Sequence, residues 1–326
     1  MAGIVVVGEV GAGGLRPVSW EALAAGRAVA EALGEPLVGL IMGSGVDEEA
    51  RTFGAGLDRL LVADQPELDM LTAETATAVL AAAIRDVEPS VVLMPGTTLG
   101  RDYAPRLAAR LGVPCAADCI DFAVEDGALV AVRPVLGGRV QSVVRFTGEG
   151  PWLATVRPGS FEQAQTASDA SPAPEAVAVE LSADDLRVSV RETVEKQAGP
   201  TNLTAAKVVV SGGRGLKEPD NFRLVEDLAR VLDGAVGATR AVVDAGWRPH
   251  HEQIGQTGVT VSPRLYVAVG VSGAVQHNVG MHGSDYVVAI NRDPDAPIFK
   301  IAAFGIVGDA FEVVPAIIEA LEAGRG

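Results

Sequence analysis

The chain has 326 residues, enough for two ordinary domains that each bury their own core. Apolar residues make up 48% of the sequence and charged residues 21%, which is typical of a folded globular protein and excludes a disordered one. The net charge of −16 argues against nucleic acid and against anionic lipid as partners, because binding either requires clustered cations.

The first half of the chain alternates predicted strands and helices. Continuous apolar runs predict buried strands at residues 4–7, 37–42, 59–62 and 90–94. Helical spacing predicts helices at residues 20–33, 72–87 and 101–111. Ser19 is placed to cap the first of these helices and Gly34 to end it. Strands separated by helices predict a doubly wound parallel sheet.

Residues 118–156 follow a different pattern. Short segments rich in β-branched residues (ALVAVRPVLGG, RVQSVVRF and WLATV) alternate with glycines, which predicts an antiparallel ribbon added to the first domain. Residues 164–175 are rich in Ala, Ser and Pro and are typical of a loop or linker, and a strand is predicted at residues 177–181. A hinge is predicted at residues 190–205. We therefore predict one domain over residues 1–195 and a second over residues 196–326.

The second domain repeats the α/β pattern. Strands are predicted at residues 207–210, 265–269 and 287–290. One helix is predicted from an apolar face that ends at Gly234 and consists of Phe222, Leu224, Val225, Leu228, Val231 and Leu232. The apolar segment 299–302 precedes a final helix near residues 312–321. The predicted fold class is thus α/β, with two doubly wound parallel-sheet domains, the first of which carries an added antiparallel β ribbon.

Three predicted strands of the second domain end in small and polar residues. These ends are SGGRG at residues 211–215, GVSGAVQH at 270–277 and INRDP at 290–294. In an open α/β sheet, ligands bind beyond the carboxyl ends of the strands. Glycines let the backbone approach a phosphate, and a helix that begins at SGAVQH offers free N–H groups. The pattern favours a phosphate-bearing ligand at this edge.

Spacing alone leaves several alternatives open. No segment matches the dinucleotide fingerprint GxGxxG, and GEVGAGG at residues 8–14 is more typical of a turn than of a nucleotide site. SGGRG suits a turn or a phosphate site equally. The loop QIGQTG at residues 253–258 is compatible with a polar ring system or with a plain turn. The loop before the helix at 101–111, with Arg101 and Arg106, either caps that helix or contacts a partner.

Compartment and metal content are also bounded by the sequence. The amino terminus enters an apolar run with no preceding basic segment, and no apolar stretch reaches membrane-spanning length. Cys115 and Cys119 make neither a disulfide framework nor a usual metal pair. We expect a protein of the reducing bacterial cytoplasm that is not inserted in a membrane and has no metal site.

The order of motifs in the second domain resembles that of a known family. SGGRG, VGATRAVVDAGW, QIGQTG, LYVAVGVSGAVQH, AINRDPDAPIF and GIVGDAF follow one another as in the FAD domain of electron transfer flavoprotein α subunits. The first half resembles that family's N-terminal domain in pattern. The resemblance implies an electron carrier that forms a heterodimer with a β subunit. It also implies FAD on the second domain of α, and AMP or a second FAD in β.

The resemblance further implies roles for individual residues. Arg214 corresponds to an arginine near the flavin and the pyrophosphate, and Arg240 to one stacked by the isoalloxazine ring, where its fixed charge favours anionic reduced flavin. Thr239 stands where many relatives carry serine. Thr257 corresponds to the residue that hydrogen-bonds flavin N5, and His277 to one near the O2 edge. The other implied cofactor-binding positions are Gln253, Ile254, Gly255, Gln256, Ser272, Gly273, Ala274, Val275, Gln276, Asn291, Asp309 and Ala310.

The implied partners define the expected function and its alternatives. Electrons are expected to arrive from flavoprotein dehydrogenases, such as acyl-CoA dehydrogenases, and to leave to a membrane quinone oxidoreductase. One alternative is a subunit of a bifurcating flavoprotein that oxidises NADH, which depends on the flavin content of the β subunit. A second alternative is a nicotinamide-dependent oxidoreductase, which is expected to show a dinucleotide fingerprint or a proton-transfer pair. Neither feature is found in the sequence.

Overall fold

The computed structural model describes residues 3–11, 13–136, 138, 140–164, 171–192, 203 and 206–324. The chain divides into two compact units, residues 1–194 (unit 1) and 195–326 (unit 2). Most of the hinge predicted at 190–205, and residues 165–170 of the predicted linker, lie outside the described residues.

Unit 1 is an α/β unit built on a parallel sheet. Its strands are β1 (Ile4–Gly8), β2 (Val10–Gly11), β3 (Gly14–Leu15), β4 (Leu37–Gly43), β5 (Arg59–Asp64), β6 (Val91–Pro95), β7 (Cys115–Cys119), β8 (Asp121–Glu125), β9 (Ala128–Val135), β10 (Val140–Arg145), β11 (Trp152–Val156) and β12 (Pro174–Ala176). Its helices are α1 (Pro17–Leu33), α2 (Asp47–Phe53), α3 (Ala73–Val87) and α4 (Thr98–Leu111). The main sheet has the order β12-β5-β4-β1-β6-β11-β7, with parallel pairing throughout.

Most predicted elements of unit 1 are confirmed. The α/β class and the antiparallel ribbon, now β10-β9-β8, are both present. Gly34 ends α1 as predicted, at φ 67°, and its N–H bonds to the carbonyls of Ala30 and Glu31. A left-handed residue without a Cβ costs little strain there. Residues 8–14 contribute to the small β2–β3 hairpin, so this stretch is a turn.

The cap predicted at Ser19 is wrong. Helix α1 begins two residues earlier, at Pro17, because proline fixes a helical φ at a position where no N–H is needed. Ser19 therefore lies inside the helix. Its Oγ accepts the N–H of Glu9 at 2.9 Å and donates to the Glu9 carbonyl at 3.3 Å, so it ties the end of β1 to α1.

Two strand predictions need correction. The segment WLATV does not join the ribbon but forms β11 of the main sheet, between β6 and β7. Leu153, Ala154 and Val156 are fully buried, as in a central parallel strand covered on both faces. The strand predicted at residues 177–181 instead lies just before it, as β12 at the sheet edge. The apolar residues of 177–181 pack against the core without pairing.

Unit 2 is a smaller parallel α/β unit. Its strands are β13 (Val208–Gly212), β14 (Ala235–Ala238), β15 (Leu265–Val269), β16 (Tyr286–Asn291) and β17 (Phe304–Val307). Its helices are α5 (Arg223–Val231), α6 (Arg240–Val243), α7 (Val275–Asn278) and α8 (Ala310–Ala323). The sheet order is β14-β13-β15-β16-β17, again all parallel. The predicted segment 299–302 is not a strand; a 3₁₀ turn at Pro297–Lys300 precedes β17.

The strand order of unit 2 determines where a ligand can bind. The chain passes from β13 to β14 on one side and then returns to β15 on the other side of β13. The crossovers diverge at this point, so the carboxyl ends of β13 and β15 form a topological switch point. The glycine-rich segments 213–215 and 270–273 both follow these strands. The fold therefore opens a crevice between them.

Candidate functional site

A cavity of about 580 Å³ lies at the carboxyl-end edge of the unit 2 sheet. Small-molecule sites span roughly 300–1,000 Å³, so this cavity is large enough for a cofactor. Most of the residues predicted for the site line it, namely Arg214, Thr239, Arg240, Gln253, Ile254, Gly255, Gln256, Thr257, Ser272, Ala274, Gln276, His277 and Asn291. The sequence analysis missed a second set of lining residues, namely Gly213, Gly215, Ala241, Asp244, Gly270, Val271, Asp293, Ala296 and Pro297.

The glycines at the switch point let two loops pack against each other. The N–H of Gly213 donates to the Val269 carbonyl at 2.9 Å, and that of Gly215 to the Gly270 carbonyl at 3.1 Å. A Cβ on Gly213 would lie only 2.2 Å from the Gly270 oxygen. These glycines are thus required by loop packing as well as by any ligand, which the sequence pattern did not distinguish.

One wall of the cavity presents free backbone N–H groups. Within the part of the chain that the structure describes, the N–H groups of residues 272–276 donate to no acceptor. Arg214 is also on the wall, and its guanidinium makes no ion pair or hydrogen bond with a described residue. Backbone N–H groups that converge beside a cation are the usual surroundings of a bound phosphate.

The loop at 253–259 is held rigidly and presents a hydroxyl. The amide Nε2 of Gln253, which is 3% exposed, donates to Thr257 Oγ1 at 3.0 Å. Because that oxygen accepts a bond, the Thr257 proton is available to another acceptor. The N–H of Gln256 donates to the Gln276 carbonyl at 2.7 Å, which joins the loop to the segment around α7.

His277 is buried beside the cavity as a neutral histidine. Its Nδ1 lies 3.0 Å from the Ile254 carbonyl and must carry the proton, because a carbonyl only accepts. Its Nε2 therefore accepts from the Tyr266 hydroxyl at 2.9 Å. Burial lowers the pKa of His277 to about 4, and the bond to Ile254 opposes this in part. Both ring nitrogens are used within the protein, so in this arrangement the ring has no spare donor for the flavin O2 edge.

Arg240 and Asp244 form an ion pair on the cavity wall. Arg240 Nε lies 3.2 Å from Asp244 Oδ2, and both side chains are largely exposed. The residues are four apart, so they share a face of the short helix α6. The sequence signal for Asp244 was present in the motif RAVVDAG, but the motif was assigned only through its arginine.

Four residues predicted for the site do not line the cavity. Gly273 packs against Ile298, and Val275 faces solvent. Asp309 Oδ1 accepts the N–H of Phe311 and caps α8, while its Oδ2 lies 3.7 Å from Lys217 Nζ. Ala310 is buried at the start of that helix. The structure thus gives Asp309 and Ala310 helix-starting roles and does not bring them to the cavity wall.

Asn291 lines the cavity, but its side chain is engaged elsewhere. Its Nδ2 donates to the Val271 carbonyl at 2.9 Å, and its Oδ1 accepts the N–H of Asp293 at 3.0 Å. These bonds connect the ends of β15 and β16. Asn291 therefore shapes the wall, and its amide has no free donor pair for a ligand.

Family models match both units. Residues 4–183 match the electron transfer flavoprotein domain, and residues 202–282 match the electron transfer flavoprotein FAD-binding domain. The chain is also 41% identical to the electron transfer flavoprotein subunit alpha of Bacillus subtilis (strain 168), over 97% of this chain and 96% of that protein. The chain belongs to the electron transfer flavoprotein α-subunit family. The predicted resemblance is thereby confirmed.

Other relatives in this family carry different names. Protein FixB of Clostridium saccharobutylicum is 42% identical over 97% of this chain and 95% of that protein. The acryloyl-CoA reductase electron transfer subunit beta of Anaerotignum propionicum is 36% identical over 96% of this chain and 94% of that protein. The FAD-binding family model ends at residue 282, so Asn291, Asp309 and Ala310 lie beyond the matched range.

The cavity of this electron transfer flavoprotein α-subunit relative fits the cofactor of its family. FAD joins a planar ring system to an adenosine through a pyrophosphate. The free N–H groups of residues 272–276 and the Arg214 guanidinium suit the pyrophosphate. Apolar wall residues such as Ile254, Val271 and Ala296 suit a flat ring, with the Thr257 hydroxyl as a donor at its edge.

Neither a membrane-spanning helix nor a metal cluster is found among the described residues. None of the described helices combines the length and apolar character needed to cross a membrane. No group of three or more His, Cys, Asp or Glu side chains in the described ranges is arranged to hold a metal ion.

Proposed function

We propose that this chain is the FAD-carrying subunit of an electron carrier, with FAD bound in the unit 2 cavity. The observation that carries the proposal is the run of free N–H groups at residues 272–276, which lies with Arg214 on the wall of a cofactor-sized cavity. Bound FAD supplies the redox chemistry, and the protein binds and orients it and tunes its potential.

Several wall residues have distinct proposed tasks. Arg214 neutralises part of the pyrophosphate charge. The Thr257 hydroxyl, whose oxygen already accepts from Gln253, donates to a ring nitrogen. Arg240 places a permanent cation beside the ring, where it stabilises negative charge on reduction. His277 is a strut that holds the loop at 253–259 against β15 through Ile254 and Tyr266.

The proposed partners follow from the family and from the relatives. An α subunit requires a β subunit, and we propose that β holds AMP or a second FAD. A relative named as an acryloyl-CoA reductase electron transfer subunit supports an acyl-CoA oxidoreductase as the exchange partner. We further propose flavoprotein dehydrogenases as donors and a membrane quinone oxidoreductase as acceptor. The cytoplasmic location stays a prediction.

One preparation separates this function from its alternative. The chain is co-expressed with the β subunit encoded beside it, and nucleotides released from the purified complex are counted. One FAD and one AMP per heterodimer, with reduction by an acyl-CoA dehydrogenase and its substrate, is the expected result. Two FAD molecules, with reduction by NADH, would support the bifurcating alternative. A complex without FAD would refute the proposal.

A further inference from the structure

The charged groups on the cavity wall balance each other. Arg214 and Arg240 contribute two positive charges, while Asp244 and Asp293 contribute two negative charges. Asp293 accepts the N–H of Asp295 through Oδ1 and makes no ion pair with a described residue. Asp244 is the acid that contacts a wall arginine, at 3.2 Å from Arg240 Nε.

The contact with Asp244 selects which part of Arg240 remains available. Nε is engaged by the carboxylate, so the two terminal Nη groups are left to meet a ligand. The backbone fixes this relation, because Asp244 follows the single turn of α6 and its N–H donates to the Arg240 carbonyl at 2.8 Å. Asp244 thus holds the guanidinium at one end while placing a negative charge next to it.

We propose that Asp244 is a positioning residue that also sets the reduction potential of FAD, by partly cancelling the charge of Arg240. The inference rests on the proposed function. A carboxylate near the ring opposes the negative charge that reduction adds, so it lowers the potential, whereas Arg240 raises it. Because both side chains are about two-thirds exposed, solvent and salt reduce the size of this effect.

The substitution Asp244→Asn separates charge from position. Asparagine keeps an oxygen that accepts from Arg240 Nε, but it removes the charge. The matched control is Asp227→Asn, which removes the same charge from another exposed pair in unit 2, with Arg230 at 3.2 Å. Asp227 does not line the cavity. Because both variants are at exposed positions, we expect both to fold.

The measurements are the reduction potential and the FAD dissociation constant of the complex with the β subunit. For Asp244→Asn we expect a threefold to tenfold shift toward reduced FAD, or ~30–60 mV at 59 mV per decade. We also expect tighter FAD binding, because an anion has been removed near the pyrophosphate. The shift should shrink as salt is added, and Asp227→Asn should leave both quantities unchanged. Asp244→Ala, which also loses the hold on Arg240, should give a lower potential than Asp244→Asn.

Failure of the inference differs from failure of the proposed function. If the wild-type complex binds FAD but Asp244→Asn has the potential and FAD affinity of Asp227→Asn, the role of Asp244 is overturned and the function stands. A lowered potential in Asp244→Asn would equally overturn it. If the wild-type complex binds no FAD, both fail.

Discussion

At the scale of single residues, the bond between Gln253 and Thr257 gives a prediction for stability as well as for the cofactor. Thr257→Ala removes a hydroxyl that accepts from a buried amide, so Gln253 loses its partner. An unpaired buried donor costs about 1–3 kcal/mol in the free energy of unfolding. FAD affinity should also fall, by about 0.5–1.5 kcal/mol for one neutral hydrogen bond.

Thr257→Ser is the matched control, because serine keeps the hydroxyl. It should restore most of the stability and most of the FAD affinity, measured by urea unfolding and by FAD titration of the complex. Unchanged stability and FAD affinity in Thr257→Ala would remove this residue from the site.

Arg240 gives a second prediction at the same scale. Arg240→Ala should lower the reduction potential of bound FAD, because a cation beside the ring is lost. Since this side chain is largely exposed and shares its charge with Asp244, we expect an effect of about 1 kcal/mol, or ~45 mV for one electron. Arg240→Lys should recover part of it. Potentiometric titration measures the shift, and an unchanged potential would make Arg240 a surface residue only.

His277 gives a pH prediction. Its pKa falls from 6.5 to about 4 on folding, so between these values the unfolded chain binds more protons than the folded chain. The stability from His277 is therefore fully present above about pH 6.5 and is lost as pH falls toward 4. The loss amounts to about 3 kcal/mol at 1.36 kcal/mol per pH unit.

The buried carboxyls of Glu9 and Glu21 act in the opposite direction. Burial raises the pKa of each, so their folded forms take up protons first as pH falls. The test is therefore the difference between wild type and His277→Gln, measured by urea unfolding from pH 7 to pH 4.5. The gap should narrow as pH falls. A gap that is constant with pH would contradict a buried neutral His277.

At the scale of elements, Gly255 fixes the shape of the loop at 253–259. Its φ is +144°, and a Cβ there would lie 2.8 Å from the Gln276 carbonyl oxygen. Gly246 is a matched control, at φ +74° with nothing within 4 Å of its Cβ position. Gly246→Ala should cost about 1 kcal/mol from backbone strain alone, and Gly255→Ala about 3 kcal/mol or more. Equal losses in urea unfolding would show that the contact with Gln276 is unimportant.

Elements with a clear period were predictable from the sequence, and edges and partners were not. The buried strands and the amphipathic helices follow from local periodicity. The strand at 152–156 was assigned to the ribbon because an apolar run does not reveal which strand it pairs with. Ser19 was assigned as a cap because the competing signal, Pro17, lies two residues earlier.

The composition of the candidate site was predictable mainly through the family resemblance. Motif order identified most of the cavity wall, but not how its hydrogen bonds are used. The nitrogens of His277 and the amide of Asn291 are spent within the protein, which depends on contacts distant in sequence. Asp309 and Ala310 start α8 instead of lining the cavity. Asp244 was missed because an ion pair is visible only once α6 is folded.

At the scale of the whole molecule, the two units differ in what they offer a ligand. The described cavity belongs entirely to unit 2, where two strand ends at a switch point carry glycine-rich loops. In unit 1, the carboxylate of Glu9 lies at the end of β1 and bonds to Thr97 and Arg16. A buried carboxylate there is unfavourable for a phosphate, so the account assigns the cofactor to unit 2 alone.

The most direct test of this claim is amide hydrogen exchange of the complex with the β subunit, prepared without flavin and measured with and without added FAD. The account predicts slower exchange in peptides that cover residues 213–215, 253–259 and 270–277 of this chain. Peptides from β1 and the start of α4 should be unchanged. Protection confined to unit 1, or no protection in these three segments when FAD is bound, would contradict it.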